Sequence, residues 1–179
     1  DEEIIVASKE GRAIRFNEQT VRTMGRNATG VRAMRIDEGD EVIGMVSVCN
    51  PEKDTVLVVS DQGYGKRSDV EDYRITNRGG KGVKTMNITD KTGKLVALKV
   101  VNDEDDLMII NVSGITLRLH PSDIRVMGRA TQGVRLINLS KRGDTIASIC
   151  RVPREDEENI NAETSEATTE DSDQPENDN

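Results

Sequence analysis

Apolar runs broken by a single glycine recur along residues 1–152. Ile4-Ile5-Val6-Ala7 and Ala13-Ile14-Arg15-Phe16 flank Gly11, Val56-Leu57-Val58-Val59 precedes Gly63, and Leu107-Met108-Ile109-Ile110 and Ile115-Thr116-Leu117-Arg118-Leu119 flank Gly114. Runs of this kind joined through a glycine turn predict β-hairpins. Nineteen residues beyond each of these glycines stands another, Gly30, Gly82 and Gly133, followed by valine and then by further apolar runs. The period is 52 and then 51 residues. The chain therefore reads as three copies, 1–50, 51–101 and 102–152, each holding about four short strands. A four-stranded unit at this period predicts an all-β, propeller-like array. Propellers close with about four to eight blades, so three blades predict part of a ring. A start at Asp1-Glu2-Glu3-Ile4, without methionine, adds the expectation of a longer parent chain. A single twelve-stranded sandwich is the competing fold, but it gives no reason for turns to recur at a fixed period.

Beyond Val152 the pattern stops. Residues 153–179 are dominated by Ser, Thr, Asn, Asp and Glu with Ile160 as the one large aliphatic, a composition that predicts a disordered tail. The tail changes the reading of the formal charge of −8: it holds eleven of the 33 acids and one base, Arg154, for −10. The remaining 152 residues carry +2, so a weakly basic body bears an acidic appendage. With one Phe, two Tyr and no Trp, the core must be built from Val, Ile, Leu and Met. No run is long enough to span a membrane, and no secretory signal is present. Cys49 and Cys150 lack metal-ligand spacing and sit in apolar runs, which predicts buried free thiols in a reducing compartment, the cytoplasm. The acids Asp103-Glu104-Asp105-Asp106 lack the alternation of a calcium loop and read as a solvated turn. His120 has no triad arrangement around it. Neither a metal site nor a catalytic residue is expected in this chain.

In register, four columns are positive in every copy: Arg15/Arg67/Arg118, Arg22/Arg74/Arg125, Arg26/Arg78/Arg129 and Arg32/Lys84/Arg135. Acids are almost as numerous in the body yet give one such column, Glu2/Asp54/Asp105. Any single arginine is most simply a solvated strand face. Together the columns form a repeating cationic belt, which suits a partner with repeating negative charge, namely a phosphate backbone. Scarce aromatics, with Tyr73 alone near a basic column, disfavour base stacking on single strands and favour backbone contact with duplex DNA. The loops 25–30, 77–82 and 128–133 carry glycines that let backbone approach a phosphate, and Arg78-Gly79-Gly80-Lys81-Gly82 adds Lys81 to the belt.

Three segments, Val21-Arg22-Thr23-Met24-Gly25-Arg26-Asn27-Ala28-Thr29-Gly30-Val31-Arg32, Gln62-Gly63-Tyr64-Gly65-Lys66-Arg67 and Val126-Met127-Gly128-Arg129-Ala130-Thr131-Gln132-Gly133-Val134, resemble the last three blades of the C-terminal domain of the DNA gyrase A protein family. The resemblance covers residues 1–152. It implies a six-bladed β-pinwheel, a propeller-like disc whose blades exchange strands, that wraps duplex DNA around its rim in support of ATP-dependent negative supercoiling by a type II topoisomerase. It also implies partners, the rest of a homodimeric gyrase A protein and the ATPase component of the enzyme, gyrase B. ATP and Mg would be used by other domains, and no cofactor is implied here. The catalytic tyrosine of the family lies in a domain missing from this chain, and neither Tyr64 nor Tyr73 has its context. The family's box, Q-R-R-G-G-K-G, belongs to the first blade; Thr76-Asn77-Arg78-Gly79-Gly80-Lys81-Gly82 keeps five of its seven residues and reads as a degenerate box-like loop in the fifth. The alternatives are the C-terminal domain of the equivalent topoisomerase IV protein, a propeller-type protein-interaction platform, and an RNA binder.

Overall fold

The structure is a computed structural model and describes residues 2–139 and 143–154. In chain order its strands are β1 Glu3–Ser8, β2 Arg12–Asn17, β3 Val42–Val48, β4 Thr55–Ser60, β5 Tyr64–Asp69, β6 Val83–Lys84, β7 Leu95–Val101, β8 Asp105–Asn111, β9 Thr116–Leu119, β10 Val134–Arg135 and β11 Ile146–Pro153. The only helical pieces among the described residues are single 3-10 turns, Glu18–Thr20, Val70–Asp72 and Pro121–Asp123. No helix there is long and apolar enough to cross a membrane. Of the tail expected to be disordered from residue 153, Pro153 instead ends β11 and residues 155–179 lie outside the described residues.

The strands form three sheets, β3-β1-β2-β6, β7-β4-β5-β10 and β11-β8-β9, with antiparallel ladders throughout. Each begins as the predicted hairpin. At Gly11 and Gly63 the backbone turns at φ 83° and 81°, closed by N–H bonds to the carbonyls of Ser8 and Ser60. Only glycine takes that conformation without strain.

The all-β, propeller-like fold stands, and the strands are exchanged between neighbouring units as the β-pinwheel resemblance implies. Each copy keeps three strands. A fourth, two residues long, is handed back to the preceding sheet: β6 pairs with β2, and β10 pairs with β5. The sheets therefore cross the repeat boundaries near residues 50 and 101. The third sheet has only three strands among the described residues. Two-residue strands leave almost no period-2 signal, so the exchange is invisible in the hydrophobic pattern.

Packing explains the unbroken apolar run in β4. Val56 and Val58 enter one core, with Ile5, Ala7, Ala13 and Val48 of the first copy and Tyr64, Tyr73, Met86, Leu95 and Leu98 of the second. Leu57 and Val59 enter another, with Leu107, Ile109, Ile124, Ile146 and Ile149 of the third copy. A sheet covered on both faces needs no polar alternation. Strands β3, β7 and β11 touch across neighbouring sheets, so they lie toward the centre and the exchanged strands lie on the far, outer edge.

Cys49 and Cys150 are exposed, which corrects the expectation of buried thiols. Cys49 lies just past the end of β3. Cys150 is an exposed residue of β11, where only Ile146 and Ile149 are buried, and it lines a cavity with Val46 and Ser47 of β3 and Lys99 and Val100 of β7.

Candidate nucleic-acid interface

After its 3-10 turn, each of the second and third copies runs along the outer strand of the preceding copy as an extended arm. Residues 74–86 follow β2: Ile75 bridges Arg15 in parallel, Thr76 N–H donates to the Arg15 carbonyl at 2.9 Å, and Thr85 N–H donates to Gly11 at 2.8 Å. Residues 125–137 repeat the path along β5. There Val126 bridges Arg67, Met127 N–H donates to the Arg67 carbonyl at 2.9 Å, and Leu136 N–H donates to Gly63 at 2.8 Å. Three of the four cationic columns ride on these arms.

The first column does not face solvent in its first two members. Arg15 is 3% exposed, with Nε on Glu3 at 2.6 Å and Nη1 donating to the Val70 and Tyr73 carbonyls, both at 2.9 Å. Arg67, 4% exposed, donates to Thr55 Oγ1 at 2.9 Å and to the Pro121 carbonyl at 2.7 Å, and pairs with Asp103 at 2.8 Å. Both staple one copy to the next. Arg118 is more exposed and binds Asp106 at 2.6 Å, which also meets His120 Nδ1 at 2.5 Å. Burial pushes the Asp106 carboxyl up, but hydrogen bonds from His120 and Arg118 outweigh it and hold the group below the usual carboxylate range.

The third column is also engaged. Arg78 donates from Nε to the Thr20 carbonyl at 3.0 Å and from Nη1 to Arg32 at 3.3 Å. Arg129 makes the equivalent bonds to Asp72 at 3.0 Å and Lys84 at 2.8 Å. These are brackets between consecutive arms. Arg26 is exposed and makes no such bond among the described residues.

The second column is different. Arg22, Arg74 and Arg125 are exposed, and among the described residues their side chains have no hydrogen bond or ion pair. Arg32 and Lys84 of the fourth column are likewise exposed and, among the described residues, free, while Arg135 donates to Tyr64 Oη at 2.9 Å and lies over its ring. Arg74 and Lys81 line one cleft of about 270 Å³ with Thr76, Asn77 and Gly80. Lys81 also pairs with Asp37 at 2.7 Å, and the ammonium holds the Asp37 carboxyl below its ordinary range. Tyr73 is fully buried, its hydroxyl 2.6 Å from Thr85, so it offers no stacking platform.

Lys66 escaped the register reading because it has no cationic counterpart: the equivalent positions are Ile14 and Leu117. It is fully buried beneath the third copy's loop and donates to the carbonyls of Gly128, at 2.9 Å, and Arg129, and to Thr131 Oγ1 at 3.3 Å. Burial, helped by the neighbouring Arg129 and opposed by Asp72, brings its amine down to about 7. Between about 7 and the ordinary 10.5 the unfolded chain binds more protons at this residue than the folded one, so folding stability rises with pH across that window. Denaturant midpoints measured from neutral to alkaline pH should climb in the wild type relative to Lys66→Met. Parallel curves would contradict the assignment.

Strand exchange between neighbouring four-stranded units, inner strands in mutual contact and a cationic outer edge together define a propeller-type array. The family described as DNA gyrase C-terminal domain, beta-propeller, matches residues 2–49, 54–102 and 105–152, and the chain belongs to it. The DNA gyrase A protein of Staphylococcus aureus strain NCTC 8325 is 43% identical over 170 residues, 94% of this chain and 19% of the relative. That of strain MRSA252 is 44% identical over 95% of this chain and 19% of its own length. The chain thus spans about a fifth of these relatives. Among solved structures, a DNA gyrase A C-terminal domain superposes with a TM-score of 0.78 at 29% identity, covering 84% of this chain and 50% of that one. The C-terminal domain of a DNA topoisomerase IV superposes with a TM-score of 0.80 at 21% identity, covering 94% and 52%, a likeness of fold.

Proposed function

We propose that this chain binds duplex DNA along its outer edge and, within a gyrase A protein working with a separate ATPase component, bends that DNA in support of negative supercoiling. The observation that carries the reading is the second column. Arg22, Arg74 and Arg125 stand at one equivalent point per copy, exposed and, among the described residues, uncommitted, so each can meet a phosphate without breaking a bond inside the fold. Arg32, Lys84, Arg135 and Lys81 extend the contact. Arg15 and Arg67 are left out of it, and Arg78 and Arg129 shape the arms that present it. Such contacts neutralise phosphates without reading bases. Identity of 43% to gyrase A proteins over nearly the whole chain favours that assignment over topoisomerase IV. Titration with random-sequence duplex DNA at two salt concentrations, in competition with single-stranded RNA, tests the reading. Salt-sensitive preference for the duplex supports it, and binding indifferent to salt or preferring RNA would overturn it.

The tail bears on the same surface. Residues 153–179 carry −10 on a body of +2, and covalent attachment keeps that charge near the belt at high effective concentration. Ending the chain at Val152 is therefore expected to raise DNA affinity at low salt. The gain should shrink as the Debye length falls to roughly 8 Å at physiological ionic strength. Equal affinities at every salt would leave the tail a solubilising appendage.

A further inference from the structure

Each cation of the second and fourth columns has a β-branched neighbour in the chain. Beside Arg22, Arg74 and Arg125 stand Thr23, Ile75 and Val126, and beside Arg32, Lys84 and Arg135 stand Val31, Val83 and Val134. Of the eight exposed large hydrophobics among the described residues, three belong to these two flanking columns: Ile75 at 56%, Val126 at 39% and Val134 at 41%. Thr23 is exposed as well, and Val31 and Val83 are half-buried.

The exposure is a property of the rim. Val126 bridges Arg67 and Val134 pairs with Gly65, so both lie on the outer edge of the second sheet, which has a neighbouring sheet packed against each face. Edge strands favour β-branched residues for the fit of their backbone. Threonine supplies that fit without leaving a second methyl in water, as Thr23 does in the first copy. The fold thus has no use for the exposed hydrocarbon of Ile75, Val126 and Val134. Exposed apolar groups rimmed by polar ones mark a contact surface, and the cations beside them say what it meets.

We propose that these residues pack against the deoxyribose of duplex DNA while their cationic neighbours hold the phosphates, so that the rim tells DNA from RNA by its sugar. This rests on the duplex-DNA reading and names the part of the duplex that the apolar positions meet. Along each strand of a duplex, a sugar separates successive phosphates. Neighbouring residues of an extended arm are about 3.3 Å apart along the chain. An arm whose arginine meets a phosphate therefore brings the next residue up to an adjoining sugar. The long Arg and Lys stems reach the charge, and the short Ile and Val side chains meet the hydrocarbon. In DNA the 2′ carbon carries only hydrogen, and covering it takes apolar surface of both partners out of water. In RNA it carries a hydroxyl, which these side chains would bury without a hydrogen bond. Like a phosphate contact, a sugar contact reads no base.

Affinities for a DNA duplex and for an RNA duplex of the same sequence, measured across a salt series, test the proposal. The variant is Ile75→Thr/Val126→Thr/Val134→Thr. Threonine keeps the branched side chain and the strand preference, so the urea midpoint should stay at the wild-type value. DNA affinity should fall about tenfold through lost apolar burial. The slope of log affinity against log salt should not change, since no phosphate contact is removed. RNA affinity should hold or rise, so the preference for DNA narrows by at least the same factor. Val112→Thr, 69% exposed and away from the arms, should bind as wild type does. A triple variant that keeps the wild-type preference, or one that loses salt slope, would overturn the sugar contact and leave the phosphate reading standing. A wild type that binds no duplex DNA would overturn both.

Discussion

Replacing Arg67 by Met is expected to destabilise the fold by about 2–4 kcal/mol, from the loss of charged hydrogen bonds worth roughly 1.5–3 kcal/mol each. The residue lies at the junction of the second and third copies, and its guanidinium is almost wholly covered. Methionine fills much of the space of the stem but removes the donors to Thr55 Oγ1 and the Pro121 carbonyl. The buried Pro121 carbonyl keeps its bond from Ile124 N–H, at 2.9 Å, but loses the charged one. Asp103 adds little to the loss, since it is 71% exposed and returns to solvent. For a domain stabilised by about 5–15 kcal/mol the change is large. A urea titration should show it as a lower midpoint. Arg74→Ala, an exposed change that breaks no hydrogen bond or ion pair, should stay within about 0.5 kcal/mol of wild type. An Arg67→Met protein as stable as wild type but deficient in DNA binding would return this residue to the binding surface.

The contrast between Arg67 and Arg74 shows where sequence reading reached and where it stopped. The repeat, the hairpins at Gly11, Gly63 and Gly114 and the columns were legible because backbone conformation and periodicity leave marks on composition. The division of labour among the columns was not. An arginine that staples two carbonyls and one that waits for a phosphate are the same letter at the same period. Which is which depends on the arm of the next copy, about sixty residues away in the chain, as with Arg15 and the carbonyls of Val70 and Tyr73. The resemblance implied that strands are exchanged, but which ones, β6 and β10, was hidden for a related reason: two residues cannot carry a pattern. Lys66 was hidden because repetition drew attention to what recurs, and this residue matters by being unlike Ile14 and Leu117. The exposed thiols show the reverse error, in which an apolar neighbourhood in sequence was taken for burial although β11 leaves Cys150 exposed.

A salt series of duplex DNA affinity for wild type and for Arg22→Ala/Arg74→Ala/Arg125→Ala tests the central assignment most directly. Each phosphate contact contributes about 0.9 to the slope of log affinity against log salt, so the triple variant should lose roughly 2.7 from that slope. At about 0.1 M salt this corresponds to a loss of order 10²–10³-fold in affinity, equal for all sequences because no base contact is removed. None of the three side chains holds the fold together, so the urea midpoint should stay at the wild-type value. An unchanged slope, or a weakened affinity that tracks a lowered midpoint, would contradict a binding surface built on the second column.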